Sequence, residues 1–393
     1  MATQGTEIQN LKERLEGHER PILSVYLSVN PRYNVNQGQA YKIRLKDAFK
    51  GIEDLPQEMA ERVREQVEDE TPPPGARTLV FFVASDGFFE RYDLQVDLPE
   101  VVRFGDPHVA PLALAVDEHE PYGVAIVESE EFRFFASTPP IIAEGERGET
   151  VGSGFFREVD LKPTGMYPVS GGSTDMDPAG RTQQAHQHRF FKQVGEITQK
   201  VAFQDNIRRL ILAGTKQRTS AFREALPQPV KDRVVAEEHL ATGAPIGEIF
   251  ERIEAVVERV EREEEAELVN KVRENGVRGI KDTVEALQEG RVYQLLALWG
   301  LDAEIRWCDH DELAITEIAQ EECPYCGRDT RIRPLSDVLV DLAAARDARI
   351  EYVVPHNEVA ATPNEDIEKE RTPDEPADVL REEFEGLAGL VRY

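Results

Sequence analysis

The stretch from Gln183 to Gly214 constrains the fold of this chain more than any other. Phe190, Val194, Ile197 and Val201 recur at steps of four, three and four, the apolar stripe of an amphipathic helix. Leu210-Ile211-Leu212-Ala213-Gly214 then forms an apolar run of the kind found in buried strands. A helix leading into a buried strand belongs to a sheet with helices on its faces. The helix is also cationic: between 181 and 200, Arg181, Arg189, Lys192 and Lys200 stand against Glu196 alone. Upstream lies a loop rich in Gly, Pro and Ser, 139–181, in which Gly171-Gly172 free the backbone to adopt positive φ or to approach a partner closely. A basic helix presented by a glycine loop suits a phosphate-rich partner.

That cationic segment sits in a strongly acidic protein. The 393 residues carry a formal net charge of −29, and only 12 of the 46 basic residues are lysines. Such a charge opposes nucleic-acid binding at moderate salt, because binding is built from Lys and Arg contacts to phosphates. In a salty cytoplasm the repulsion is screened within about 3 Å at 1 M salt, and here the positive charge is clustered as well as scarce. A second island, Arg32, Lys42, Arg44, Lys46 and Lys50 against Asp47, supports that reading; the alternative is a helix with one basic face and no ligand. No apolar run is long enough to span a bilayer. MATQGTEIQNLKERLEG has no signal-peptide character, and three cysteines do not make a disulfide framework, so the expected location is the cytoplasm.

Alternating helical and strand-like segments predict an α/β protein of three domains, 1–108, 109–274 and 275–393. The first contains the strand ILSVYL at 22–27, a helix from about Tyr41, the break TPPPG at 71–75, and strands around LVFFVAS and FERYDLQV. The second opens with LALAVD, YGVAIVES and EFRFFAS read as three short strands. It continues through the glycine loop, the basic helix, the strand at 210–214, a short helix, the strand VVAEEHL and a long charged helix over 246–275. The third has a helix at 282–289 ended by Gly290, a strand at 293–298, a cysteine-bearing insertion, a helix at 336–346, the strand IEYVV, an acidic loop at 356–385 and a last strand in GLAGLVRY.

Cys323-Pro324-Tyr325-Cys326-Gly327 has the shape of a zinc knuckle, whose glycine permits the turn that aims both thiolates at one ion. Cys308 and His310 are the remaining candidates for a four-ligand structural zinc site; the alternative is a turn with reduced thiols. No Walker-type loop or HExxH helix is present.

Residues 279–298, GIKDTVEALQEGRVYQLLAL, resemble the opening of the third domain of archaeal and eukaryotic class-1 release factors and their Pelota relatives. A glycine, an Asp-Thr helix, an Ala-Leu, a Gly and an apolar strand follow in the same order. The middle unit is similar to the same proteins' ribonuclease-H-like second domain: its glycine loop stands at their Gly-Gly-Gln position, and His188–Glu196 resembles the basic helix that follows. The ending GLAGLVRY looks like that of bacterial, Balon-like versions. The resemblance implies a C-terminal α/β sandwich like kink-turn-binding ribosomal proteins. It also implies a monomer that binds the ribosomal A site, tRNA or peptidyl-tRNA, and a translational GTPase, but no membrane. Gly171, Gly172, Ser173, Thr174 and Gly180 would then face the peptidyl-transferase centre. Arg181, His188, Arg189 and Lys192, with Arg32, Lys42, Arg44 and Lys46 in the first domain, would meet RNA.

Two departures shape the functional expectation. Ser173 or Thr174 stands where active relatives carry glutamine, and a short hydroxyl cannot fill the place of an amide that orients water and stabilises an oxyanion. NQGQAYKIR at 36–44 shows no stop-codon motif. The expected role is therefore ribosome hibernation, protection or rescue without codon specificity. The alternative is a peptidyl-tRNA hydrolase using Gln183 of the shifted match Gly180-Arg181-Thr182-Gln183. A third reading is a non-ribosomal adaptor that reuses the fold.

Overall fold

In a computed structural model the protein is a mixed α/β chain that clusters into two compact units. The structure describes residues 11–69, 76–128, 131–137, 141–142, 156–159, 179–355 and 376–392, apart from positions 95 and 119. The TPPPG break and the Gly171–Thr174 loop lie outside the described residues. Residues 1–118, 141–145 and 261–393 make up one unit, and residues 119–140 with 146–260 the other. The segments expected as first and third domains thus share one unit.

The first unit opens with β1 (Ile22–Ser28), α1 (Tyr41–Lys50), α2 (Gln57–Asp69), β2 (Thr78–Val83), β3 (Phe89–Leu94), β4 (Val101–Gly105) and α3 (Ala110–Glu118). Tyr41, Leu45 and Phe49 on α1 and Met59, Val63 and Val67 on α2 recur every fourth residue, so each helix turns one stripe toward the sheet. Leu23, Val25 and Leu27 of β1 and Leu79, Phe81 and Val83 of β2 meet them, alternate residues on one sheet face.

In the second unit follow β5 (Tyr122–Val127), β6 (Phe132–Ser137), β8 (Phe156–Val159), α4 (Ala179–Gln204), β9 (Arg209–Gly214), α5 (Lys216–Ala225), α6 (Gln228–Lys231), β10 (Val234–Glu238) and α7 (Ile246–Asn275), whose residues from Glu261 count with the first unit. Between β6 and β8, β7 (Ile141–Ile142) pairs with β3, giving the first unit a sheet in the order β4-β1-β2-β3-β7. The second sheet runs β10-β9-β5-β6-β8, with β5, β9 and β10 parallel. Ala125 and Val127 turn toward α4 and α5, whereas Val124 and Ile126 turn toward α7. Gly214 ends β9 at φ +142, where an added Cβ would lie 2.5 Å from the Val127 carbonyl oxygen, so no side chain fits.

The third segment supplies β11 (Gly276–Arg278), α8 (Ile280–Gln288), β12 (Val292–Leu298), β13 (Glu304–Cys308), β14 (Leu313–Ile315), β15 (Arg331–Pro334), α9 (Leu335–Ala345), β16 (Arg349–Val353), α10 (Pro376–Glu383) and β17 (Leu387–Val391). Its main sheet runs β11-β17-β12-β16, and β14-β13-β15 form a small separate sheet.

Two expectations need correction. LALAVD is helix, within α3. Ala110, Pro111, Leu112, Leu114, Ala115 and Val116 are all buried, so the run is apolar on every side and its period says nothing about helix or strand. The acidic stretch at 356–385 is not all loop either, because α10 occupies its end and buries Ala377, Val379 and Leu380.

A charged network holds the first unit's N- and C-terminal segments together. His108 Nδ1 lies 2.8 Å from Asp337 Oδ1 on α9, and both residues are buried. Tyr26 on β1 donates its hydroxyl to the His108 carbonyl at 2.6 Å. Asp106 takes Arg20 at 2.7 Å, Arg333 at 3.2 Å and Arg331; Asp341 takes Arg333 at 2.9 Å and Lys12.

At the end of α3, Glu118 faces Glu261, Glu265 and Glu351, with Arg262 as counter-charge. Burial pushes its pKa up to about 8, and Glu261 adds to the shift. A carboxyl whose folded pKa is raised contributes stability that is complete below its unfolded value, about 4.3, and is lost as pH rises through about 8. The urea midpoint should therefore fall between pH 5 and pH 8.5 at constant salt. Glu118→Gln should flatten that slope and add about 1 kcal/mol at pH 8. An unchanged slope in the variant would remove Glu118 as its source.

Candidate functional site

Helix α4 is divided by burial into two faces. Phe190, Phe191, Val194, Val201 and Ala202 enter the core beside Phe134, Leu212 and Phe222, with the Phe191 and Phe222 rings 5.5 Å apart and nearly perpendicular. Gly195 faces α5 and α6 closely, since a Cβ there would already touch Pro227 at 3.4 Å. His188, Arg189, Lys192, Glu196 and Lys200 are exposed. The sequence-predicted cations His188, Arg189 and Lys192 therefore share the solvent side of one rigid helix. That helix begins at Ala179, earlier than the periodicity indicated. Gly180 thus belongs to α4 and not to the loop, and Gln183 lies inside the helix. The side chains of Arg181 and Gln183 lie outside the described residues.

In the N-terminal island the structure separates residues that the sequence grouped together. Arg32 and Lys46 are exposed. Lys42 donates to the Glu68 carbonyl at 3.2 Å. Arg44 is committed internally. Its guanidinium reaches Glu100 at 3.0 Å, the Val35 carbonyl at 2.8 Å, the Ser28 carbonyl at 3.1 Å and Asn36 Oδ1 at 2.7 Å. It ties α1 to the end of β1, with most of its donors engaged within the fold.

The small sheet carries a thiol cluster. Ligand atoms of Cys308, Asp311, Cys323 and Cys326 all lie within 4.8 Å of one another. Cys308 Sγ is 3.5 Å from Cys326 Sγ, and Asp311 Oδ2 is 3.1 Å from Cys323 Sγ and 3.7 Å from Cys308 Sγ. A tetrahedral ion with bonds of about 2.3 Å to sulfur and 2.0 Å to oxygen would set such separations at roughly 3.5–3.8 Å; the separations here lie on both sides of that range, and the donor set is compatible with a divalent metal. The Asp311 backbone N–H donates to Cys308 Sγ at 3.4 Å. Burial raises the Cys308 thiol, but N–H groups of Asp311 and His310 and the two neighbouring thiols outweigh it, and the net shift is downward. The Asp311 carboxylate pushes the Cys326 thiol up to about 12. Gly327 follows in the left-handed region at φ +68.

His310 is not in this cluster. Its Nδ1 lies 2.9 Å from Asp311 Oδ1, so the carboxylate turns one oxygen to the histidine and the other to the sulfurs. Sequence reading missed Asp311, although Cys308-Asp309-His310-Asp311 repeats the three-residue step of Cys323 to Cys326.

Residues 107–258 match the family model for bacterial archaeo-eukaryotic release factor family 10. Among solved structures, Archaeoglobus fulgidus Pelota is 14% identical over 98% of this chain and 92% of its own, at a TM-score of 0.29. Ribosome-bound archaeal Pelota, in a structure with ABCE1, is 14% identical over 98% and 94%, at 0.38. Saccharomyces cerevisiae Dom34, a translation termination-like factor involved in RNA quality control and interacting with Hbs1, is 10% identical over 80% and 86%, at 0.37. These likenesses are low in identity and score, and the family match spans less than half of the chain. No curated protein matches. Among the described residues, no helix is long and apolar enough to cross a membrane.

Arg44→Ala should lower stability by about 1–3 kcal/mol, because it leaves Asn36 and Glu100 without their partner. Arg32→Ala and Lys46→Ala should stay within about 0.5 kcal/mol of the parent. Urea denaturation of the three variants checks this, and equal stability of all three would restore Arg44 to the surface.

Proposed function

We propose that the protein occupies the ribosomal A site without reading a codon and acts in ribosome hibernation, protection or rescue. The observation that carries this reading is the family match over 107–258, whose long helix α4 presents His188, Arg189 and Lys192 to solvent. In a chain of net charge −29, cations held on one helix face are where RNA phosphates would bind. Arg32 and Lys46 would contact RNA from the first domain. Gly171, Gly172, Ser173 and Thr174 would approach the peptidyl-transferase centre, and a translational GTPase would be the protein partner, acting on a monomer in the cytoplasm. The division into 1–108, 109–274 and 275–393 is kept as a functional one, with a ribonuclease-H-like middle part and a C-terminal part like kink-turn-binding ribosomal proteins. Hydrolysis through Gln183 is disfavoured, since the residue lies within a helix and not on a loop.

Sedimentation with vacant and peptidyl-tRNA-loaded ribosomes over a salt series, with ester release scored in the same tubes, tests the reading. Binding without release is expected. Arg189→Glu with Lys192→Glu should weaken binding and make the slope of log affinity against log salt shallower by about 2. Release abolished by Gln183→Ala would point to a hydrolase, and no binding at any salt would leave the adaptor reading.

The ion of the thiol cluster is, on this reading, zinc, held by Cys308, Cys323, Cys326 and Asp311 and supplying a structural cross-link between two turns. Metal analysis should find one zinc per chain. His310→Ala should cost about 10–100-fold in affinity as the partner of a ligand, and Asp311→Ala more. With cobalt in place of zinc, His310→Ala should leave the thiolate charge-transfer band unchanged; a changed band would make the histidine a ligand.

A further inference from the structure

The thiol cluster holds three cysteines that differ in access, and they are the only cysteines in the chain. Cys308 and Cys323 are buried, whereas Cys326 is partly exposed, in the turn that Gly327 closes. Cys308 and Cys326 lie 3.5 Å apart at sulfur although 18 residues separate them. A disulfide bond is about 2.05 Å long, so closing the pair requires sulfur movement of roughly 1.5 Å, within reach of a side-chain rotation beside a glycine turn. The fourth donor is a carboxylate, which no oxidant of thiols touches.

We propose that Cys308 and Cys326 form a peroxide-sensitive pair, so that oxidation dismantles the metal site in one two-electron step. This rests on the zinc reading above for its consequence but not for its chemistry. The Cys326 sulfur, the accessible one of the pair, attacks one peroxide oxygen and gives up its proton; an S–O bond forms, the O–O bond breaks, and the hydroxide that leaves takes up that proton to become water. The Cys308 thiolate then attacks the Cys326 sulfur, forming the S–S bond and expelling the second oxygen, which is protonated to water. The two sulfurs give up two electrons, and one peroxide is reduced to two waters. Cys323 and Asp311 are left, two donors where a closed structural site needs four.

The test treats the full-length protein, as purified, with hydrogen peroxide. Zinc release is followed with a chromogenic chelator, and the linkage is mapped by non-reducing peptide mass spectrometry. The expected result is release of the bound zinc together with a Cys308–Cys326 cross-link, both reversed by dithiothreitol and added zinc. Cys323→Ser should still form the cross-link; Cys308→Ser should not, and mapping reads this whether or not the variant holds metal. Thiols that stay reduced at peroxide levels oxidising a free-thiol control would overturn the proposal, as would a Cys323–Cys326 link in its place. Protein that contains no zinc yet forms the Cys308–Cys326 link would support the pair and remove the zinc reading alone.

Discussion

The contact on which the first unit depends is the buried pair of His108 and Asp337, 229 residues apart in sequence. Removing one member of such a pair costs about 1–3 kcal/mol, because a buried polar group is left without its hydrogen-bond partner. Its backbone is fixed as well: Ser24 accepts from the His108 N–H at 3.0 Å, and Tyr26 donates to the His108 carbonyl. The N-terminal sheet is thus joined through one residue to α9, which in turn follows β15 of the small sheet and its thiol cluster. Asp106 and Asp341 extend the same junction through Arg331 and Arg333. A seam this rich in charge is specific about its partner, since an apolar surface would leave every one of these groups unsatisfied.

The acidity of the chain gives its exposed cations their meaning. Where carboxylates dominate, most arginines end up with an acid neighbour: Arg14 with Glu90, Arg133 with Glu158, Arg208 with Glu120, Arg273 with Glu383. The α4 face differs in kind. It combines a fully packed apolar side with an outward row of His, Arg and Lys, so its geometry is set by the core while its charge faces solvent.

How much of this was legible in sequence followed from how local each signal is. The α4 stripe, the β9 run and the full length of α7 were readable because their periods are intrinsic to the segments. The α3 helix was not, because burial on all sides erases the polar face that defines a period. Arg44 looked like Lys46, its neighbour on α1; its partners Ser28, Val35, Asn36 and Glu100 come from elsewhere, and only the fold brings them together. Asp311 was half legible. Its spacing from Cys308 matches the knuckle, but carboxylates are so common in this chain that spacing alone could not single one out. The His108–Asp337 pair left no local trace at all.

The two-residue strand β7 has a consequence for the chain as a connected object. The polypeptide leaves the second unit after β6, lends Ile141 and Ile142 to the free edge of β3, and returns to supply β8. Neither unit is therefore a continuous fragment. Cutting out 119–260 would strip an edge strand from the first sheet and bare the backbone groups of β3. Along its sequence the protein can be divided only by unpicking a strand from one part to free the other.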